Sequence, residues 1–362
     1  MSDEHLPHHS AFRFHGRWQE FARIAISNLL LTIVTLGIYR FWATTREREY
    51  LWGKTDFIDE RLEWTGRGME LFIGFIMVFL FVGLPLIVIQ LVTQGLIFQG
   101  APVLAGLLMF SMFLLLFYLT GVAYFRALRY RLSRTYWRGI RGGSDNPGFQ
   151  YGLSYMGKTV LGWLPIFLMV PWTMISLWNQ RWNAMSFGPH RFSANAQWTP
   201  LMKRYLLFYL VPFIVFVGAG TIVVSMPLSG DAPEPFGGTG ALYFGGLVIV
   251  TVVAFYIIAP LIALIFYSKY FRLAVGGLRL HTLEFEFRAR AVDWILFFLA
   301  NMVIIICTFG IGYIFMPYRN WKFFIDHMEA YGEINIDELT QSQTVVEKHG
   351  EGLLDAFDVG AI

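Results

Sequence analysis

Residues 12–46 read FRFHGRWQEFARIAISNLLLTIVTLGIYRFWATTR, and residues 285–319 read FEFRARAVDWILFFLANMVIIICTFGIGYIFMPYR. The two stretches align without a gap. Apolar segments resemble one another by composition alone, but here the polar and glycine positions match as well. Arg17 stands with Arg290, Glu20 with Asp293, Asn28 with Asn301, Thr35 with Thr308, Gly37 with Gly310 and Arg46 with Arg319. Greasy composition does not place an Asn, a Thr and a Gly at the same offsets. The pattern is read as duplication of a membrane-embedded unit.

Working outward, the chain is 56% hydrophobic and only 15% charged, against about 25% charged in a soluble domain. Seven apolar stretches stand out, at 24–42, 69–92, 101–125, 160–178, 205–226, 240–267 and 292–316. Several reach the ~20 residues that a helix needs to cross a bilayer core. Runs such as 71–80 are apolar on every side, which speaks against the alternating pattern of a membrane β-barrel. The expected class is an all-α polytopic membrane protein whose internal repeats each hold an embedded segment and two spans. Repeat one covers 12–135, a degraded repeat two 136–279, and a partial repeat three 280–332. A polar N-terminal tail covers 1–11 and an acidic tail 333–362, the latter with seven carboxylates against Lys348 alone. That composition reads as solvated and mobile.

The basic residues set the expected topology. Arg46, Arg48, Lys54, Arg61 and Arg67 follow the first stretch, Arg126 to Lys158 follow the third, and Lys269 to Arg290 follow the sixth, whereas 93–100 and 227–239 hold no Lys or Arg. If all seven stretches crossed, basic loops would fall on both sides. If stretches two, three, five and six cross while one, four and seven enter and leave on the cytoplasmic side, every basic loop and both termini are cytoplasmic. Each of those three stretches is interrupted near its middle or end by helix-disturbing residues: Gly37; Pro165 and Pro171; Gly310, Gly312 and Pro317. The middle one shows a worn version of the repeat, with Phe149-x-Tyr151 at its start, Arg181 near the place of Arg46, and Phe187-x-x-x-Arg191-Phe192 mirroring Phe57-x-x-x-Arg61-Leu62. Leu283, Phe285 and Phe287 alternate, as in a short cytoplasmic strand.

Phe12-x-Phe14, the run Thr35-Leu36-Gly37-Ile38-Tyr39 followed by Trp42, and Trp137-Arg138-Gly139-Ile140-Arg141 resemble the YjgN family of bacterial inner-membrane proteins. The likeness extends from about residue 12 to 330. It implies a polytopic protein of the cytoplasmic membrane and carries over no functional residues.

Candidate chemistry is sparse. Asn28 and Asn301 lie two helical turns before Thr35 and Thr308, on one face. They are candidates to line a polar intramembrane site, although bonding between helices or capping of the break at Gly37 and Gly310 is the simpler account. Arg17 with Glu20, and Arg290 with Asp293, have the spacing of an interfacial ion pair. In 125–138 an apolar stripe of Phe125, Leu128, Leu132 and Tyr136 adjoins Arg131, Arg134 and Arg138, the pattern of an interfacial helix that attracts anionic lipid, or of a plain positive-inside anchor. His5, His8, His9 and His15 sit in the polar terminus without a fixing element, so no metal or other cofactor is expected. Lone Cys307 excludes an intrachain disulfide. The basic residues flank apolar segments instead of forming a soluble domain, which disfavours nucleic acid as a partner. The sequence assembles no acid, base and nucleophile, so an enzyme is not expected. A transporter or channel-like protein is the leading expectation; a non-transporting scaffold that interacts with lipid is the alternative.

Overall fold

The computed structural model describes residues 10–225, 238–332 and 340–344. Among them, eleven short strands form the platform on which every helix is mounted. They are β1 (Phe12–Phe14), β2 (Thr55–Phe57), β3 (Glu60–Arg61), β4 (Glu63–Trp64), β5 (Thr135–Trp137), β6 (Ile140–Gly143), β7 (Ser186–Phe187), β8 (His190–Ala194), β9 (Leu278–Leu280), β10 (Leu283–Phe287) and β11 (Met328–Tyr331). Pairing is antiparallel between successive strands, β1-β2-β3 in one sheet and β4 through β11 in another. Leu62 links the sheets, its N–H donating to the Thr55 carbonyl at 2.9 Å, and β1 lies against β11. The strands therefore curl into a nearly closed ring. Apolar Phe12, Phe57, Leu62, Trp137, Phe187, Leu280 and Leu283 gather inside it. β10 shows why: Leu283 and Phe287 are buried while Glu284 and Glu286 face out, the period of two that a pleated strand imposes. The expected all-α class is corrected on this point. Each strand is too short for periodicity to announce it.

Two kinds of connection alternate around the ring. Tight turns join β2 to β3, β5 to β6, β7 to β8 and β9 to β10. At Arg138-Gly139 both residues have positive φ, 53° and 71°, as a two-residue hairpin turn demands. The other connections are long helical excursions. Because the strands before and after each excursion are hydrogen-bonded to one another, each must end where it began.

Three excursions are helical hairpins: α1 (Trp18–Val34) with α2 (Arg40–Gly53), bracketed by β1 and β2; α5 (Phe149–Trp163) with α6 (Val170–Trp182), bracketed by β6 and β7; and α9 (Ala291–Cys307) with α10 (Met316–Asp326), bracketed by β10 and β11. A 17-residue leg such as α1 is about 25 Å long, less than the ~30 Å hydrocarbon core. The other two excursions are pairs of long apolar helices, α3 (Gly68–Phe98) with α4 (Pro102–Arg134), and α7 (Thr199–Thr221) with α8 (Phe244–Gly276). These four are long and apolar enough to cross a membrane. Where Pro85 and Pro260 remove a backbone donor, the preceding turns widen to π geometry over Phe79–Gly83 and Val253–Ile258.

The stretch 125–138 is not a separate interfacial helix. Residues through Arg134 complete α4, and Thr135–Trp137 leaves it as β5. The register of the middle hairpin is also corrected. Phe149 and Tyr151 lie within α5, not on a strand; Tyr151 is buried, sixteen residues before the left-handed Phe167, as Phe21 is before Gly37 and Trp294 before Gly310. Of the acidic tail, residues 340–344 are docked and not free: Arg141 Nη1 donates to Thr344 Oγ1 at 3.1 Å, and Gln341 Nε2 donates to the Gly139 carbonyl at 2.8 Å. Residues 333–339 and 345–362, like His5, His8, His9 and most of the 227–239 loop, lie outside the described residues.

Candidate functional site

The hairpin turns explain the matching Thr and Gly. Gly37 at φ 91° and Gly310 at φ 88° occupy the left-handed region. Their N–H groups donate back to Thr32 and Ile305 carbonyls at 2.7 and 2.8 Å, the bond that closes a helix before a reversal. Thr35 Oγ1 donates to the Leu31 carbonyl and accepts from the Tyr39 N–H; Thr308 Oγ1 does the same with Ile304 and Gly312. In the middle hairpin Ile166 and Phe167 take the left-handed positions, and the α7 hydroxyls of Tyr205 and Tyr209 donate to their carbonyls.

The asparagines clasp leg to leg. Asn28 Nδ2 donates to the Ala43 carbonyl and to Glu47 Oε1, both at 3.2 Å, and its Oδ1 accepts from Arg46 Nη1 at 3.2 Å. Asn301 Oδ1 accepts from Arg319 Nε in the same way. Lys158 stands at the corresponding place in the middle hairpin, its Nζ donating to Gln180 Oε1 at 2.8 Å. Asn28, Thr35, Asn301 and Thr308 thus hold the hairpins together and line no cavity described below.

Of the two expected ion pairs, Glu20 takes another partner and Asp293 keeps Arg290 by its backbone. Arg17 precedes α1, and its N–H donates to the Tyr50 hydroxyl. Glu20 therefore faces the second leg, where Lys54 Nζ at 3.2 Å and the Tyr50 hydroxyl at 3.1 Å hold it; the Lys54 contact lowers its pKa most. Asp293 Oδ2 accepts the Arg290 N–H at 2.7 Å as a helix cap. Arg134 Nε pairs with Glu70 at 2.9 Å, and Arg138 pairs with Asp59, so tertiary structure supplies the acids that the local sequence lacks. His15 pairs with Asp56 at 2.8 Å.

Of the basic stripe, Arg131 lines a cavity. The second legs α2, α6 and α10 converge beneath the strand ring and enclose a space of about 500 Å³. Counting from the left-handed Gly37, Phe167 and Gly310, the eleventh residues are Arg48, Trp178 and Trp321, the fourteenth Leu51, Arg181 and Phe324, and the fifteenth Trp52, Trp182 and Ile325. All nine line this cavity, with Glu47 and Arg131 beside them. A second chamber of about 200 Å³ lies inside the ring, lined by Phe57, Trp137, Phe187, Leu280 and Leu283 among others. Phe12, Phe192 and Phe285 border both. Charge at the cavity wall is mainly positive: Arg48 lies over the Trp64 ring at 5.1 Å and Arg181 over Trp178 at 5.7 Å.

Over residues 9–356 the chain matches the family model described as bacterial protein of unknown function (DUF898). The chain belongs to this family. It is similar to the inner membrane protein YjgN of Salmonella typhimurium strain LT2, with 23% identity over 94% of this chain and 93% of that one. The YjgN protein of Escherichia coli O157:H7 is 26% identical over 47% of this chain and 37% of its own length. No solved structure matches. The resemblance carried by Thr35 to Tyr39 thus extends along nearly the whole sequence.

The sequence reading missed the cavity. Its lining follows helical periods within second legs that are too polar to count as spans, and three separate stretches contribute. The available signal was the gap-free continuation of the alignment past Arg46 and Arg319, which pairs Leu51 with Phe324.

Proposed function

We propose that this is an inner-membrane transporter or channel-like protein, with its strand ring and described basic loops on the cytoplasmic side and its three hairpins re-entering from that side. Duplication of a unit of hairpin plus two spans accounts for the shared hairpin geometry. One observation carries the reading: Phe12, Phe192 and Phe285 line both the cavity at the hairpin axis and the ring chamber, and so stand between the two. Broken or re-entrant helices that meet on an axis place non-lipid surface at membrane depth, and an aromatic constriction gates by excluding water. The relatives' names support the membrane assignment.

Cysteine accessibility tests this in a Cys307→Ser background. Cysteine at Leu51 should react with a membrane-impermeant thiosulfonate from the ring side, and a further Phe12→Ala, Phe192→Ala, Phe285→Ala triple replacement should speed that reaction at least tenfold. A site unreactive in both backgrounds describes a sealed core and removes the transport reading.

A scaffold that anchors in one leaflet is the second reading. It draws on the hairpin tips, where Leu36 and Phe309 are 94% and 96% exposed.

A further inference from the structure

The three second legs differ in how their polar groups are satisfied. Trp52 Nε1 donates to Thr135 Oγ1 at 2.9 Å, and Trp321 Nε1 donates to Thr55 Oγ1 at 2.8 Å. Their counterparts on α6 have no such acceptor. Trp178 Nε1, Trp182 Nε1 and Arg181 Nε are all buried without a hydrogen-bond partner among the described residues. Arg181 is only 7% exposed. Indole and guanidinium groups donate and never accept, and a buried donor left unmade is costly. Three such donors on one helical turn call for an acceptor from outside the protein.

The surroundings narrow its chemistry. Glu47 is the sole carboxylate on the cavity wall among the described residues, and it already accepts from Asn28. Arg48, Arg131 and Arg181 reach the cavity from three different helices, and the planar fork of a guanidinium suits a pair of phosphate or carboxylate oxygens. Leu51, Phe324 and Val275 supply an apolar wall, which an inorganic ion would leave unfilled. We infer that the cavity binds an amphipathic anion, a phosphate or carboxylate on an apolar body, with Arg181 as the principal anchor and the indole N–H groups of Trp178 and Trp182 as supporting donors. The inference rests on reading this cavity as a solute site and names the class of solute.

The two tryptophans also supply the readout. The full chain in neutral maltoside micelles is titrated with octyl phosphate, with dihexanoyl phosphatidylglycerol, with octyl glucoside and with inorganic phosphate, following tryptophan fluorescence and the thermal midpoint. Saturable binding is expected for octyl phosphate or the short-chain lipid, and at least tenfold weaker binding for octyl glucoside and inorganic phosphate. Preference for the lipid identifies a membrane source, and preference for octyl phosphate a soluble one; either supports the site. Arg181→Met should weaken binding tenfold or more, with Arg181→Lys recovering part of the loss. If Arg181→Met does not fold, Trp178→Phe, which deletes one donor and keeps the ring, should weaken binding several-fold. Equal affinity for octyl glucoside, no binding of either anion, or unchanged affinity in a folded Arg181→Met or Trp178→Phe variant overturns the proposal. Binding without flux in proteoliposomes supports the site while removing transport; flux indifferent to Arg181→Met and to octyl phosphate does the reverse.

Discussion

The outer hairpins, α1–α2 and α9–α10, and the middle hairpin, α5–α6, reach the same geometry by different chemistry. In the outer two, a glycine takes the left-handed turn, a threonine caps it and an Asn–Arg clasp joins the legs. In the middle one, Phe167 takes the turn, tyrosines from α7 satisfy its carbonyls, and a Lys158–Gln180 bond replaces the clasp. The outer turns are closed from within; the middle turn leans on a neighbouring span. It also carries Arg181 where the others have Leu51 and Phe324. A fold that needs all three hairpins needs each to be stable, but only one to be chemically distinct.

The largest effect that breaks this comparison is at the clasp. Asn28→Leu removes the acceptor of Arg46 and the donor to Glu47 inside a nearly buried site, with an expected loss of roughly 2–3 kcal/mol, since hydrogen bonds to charged groups are the strong ones. Lys158→Leu, whose bond spans only side chains on one hairpin, should cost less. Denaturation in mixed micelles with both variants ranks them, and equal losses would erase the distinction between outer and middle hairpins.

The turns come next. Gly310→Ala places a Cβ in open space at φ 88°, so its cost is backbone strain alone, about 1–2 kcal/mol. Phe167→Gly should move the other way at the backbone, offset by the lost ring. A thermal midpoint that rises for Gly310→Ala would show that the left-handed turn is not the native one.

The smallest effect is in pH. The folded-state pKa of Glu20 lies below the usual carboxylate value because Lys54 and Tyr50 hold the charged form. A depressed carboxylate contributes stability above its unfolded pKa, near 4.5, and that contribution fades as pH falls through the lower folded value. The middle hairpin has Gln150 at this place. Glu20→Gln should therefore flatten the stability profile below about pH 4.5 by a small amount; a profile identical to wild type removes the contact's contribution.

How much of this was legible follows from where the information lies. Gly37, Thr35 and Asn28 act within one hairpin, so their matching spacing pointed to a break in the helix, while leaving open whether the asparagine bonds between helices or lines a polar site. The four long helices were legible because they are apolar on all faces. The strand ring was nearly invisible: β3 and β4 hold two residues each, and pairing partners such as Phe192 and Leu280 are far apart in the chain. The partners of Glu20, Arg134 and Arg138 were missed for the same reason, since Lys54, Glu70 and Asp59 arrive by tertiary folding. Arg181 was noticed but misplaced, because the middle hairpin keeps the geometry of its turn and not its residues.

All three hairpins are expected to return to the side they left. Single cysteines at Asp59, Arg191 and Glu329, just after each hairpin, are introduced into the Cys307→Ser chain and labelled with a membrane-impermeant maleimide in oriented membrane vesicles. The fold predicts that all three react from one and the same side. Labelling that alternates between sides from one position to the next would contradict it.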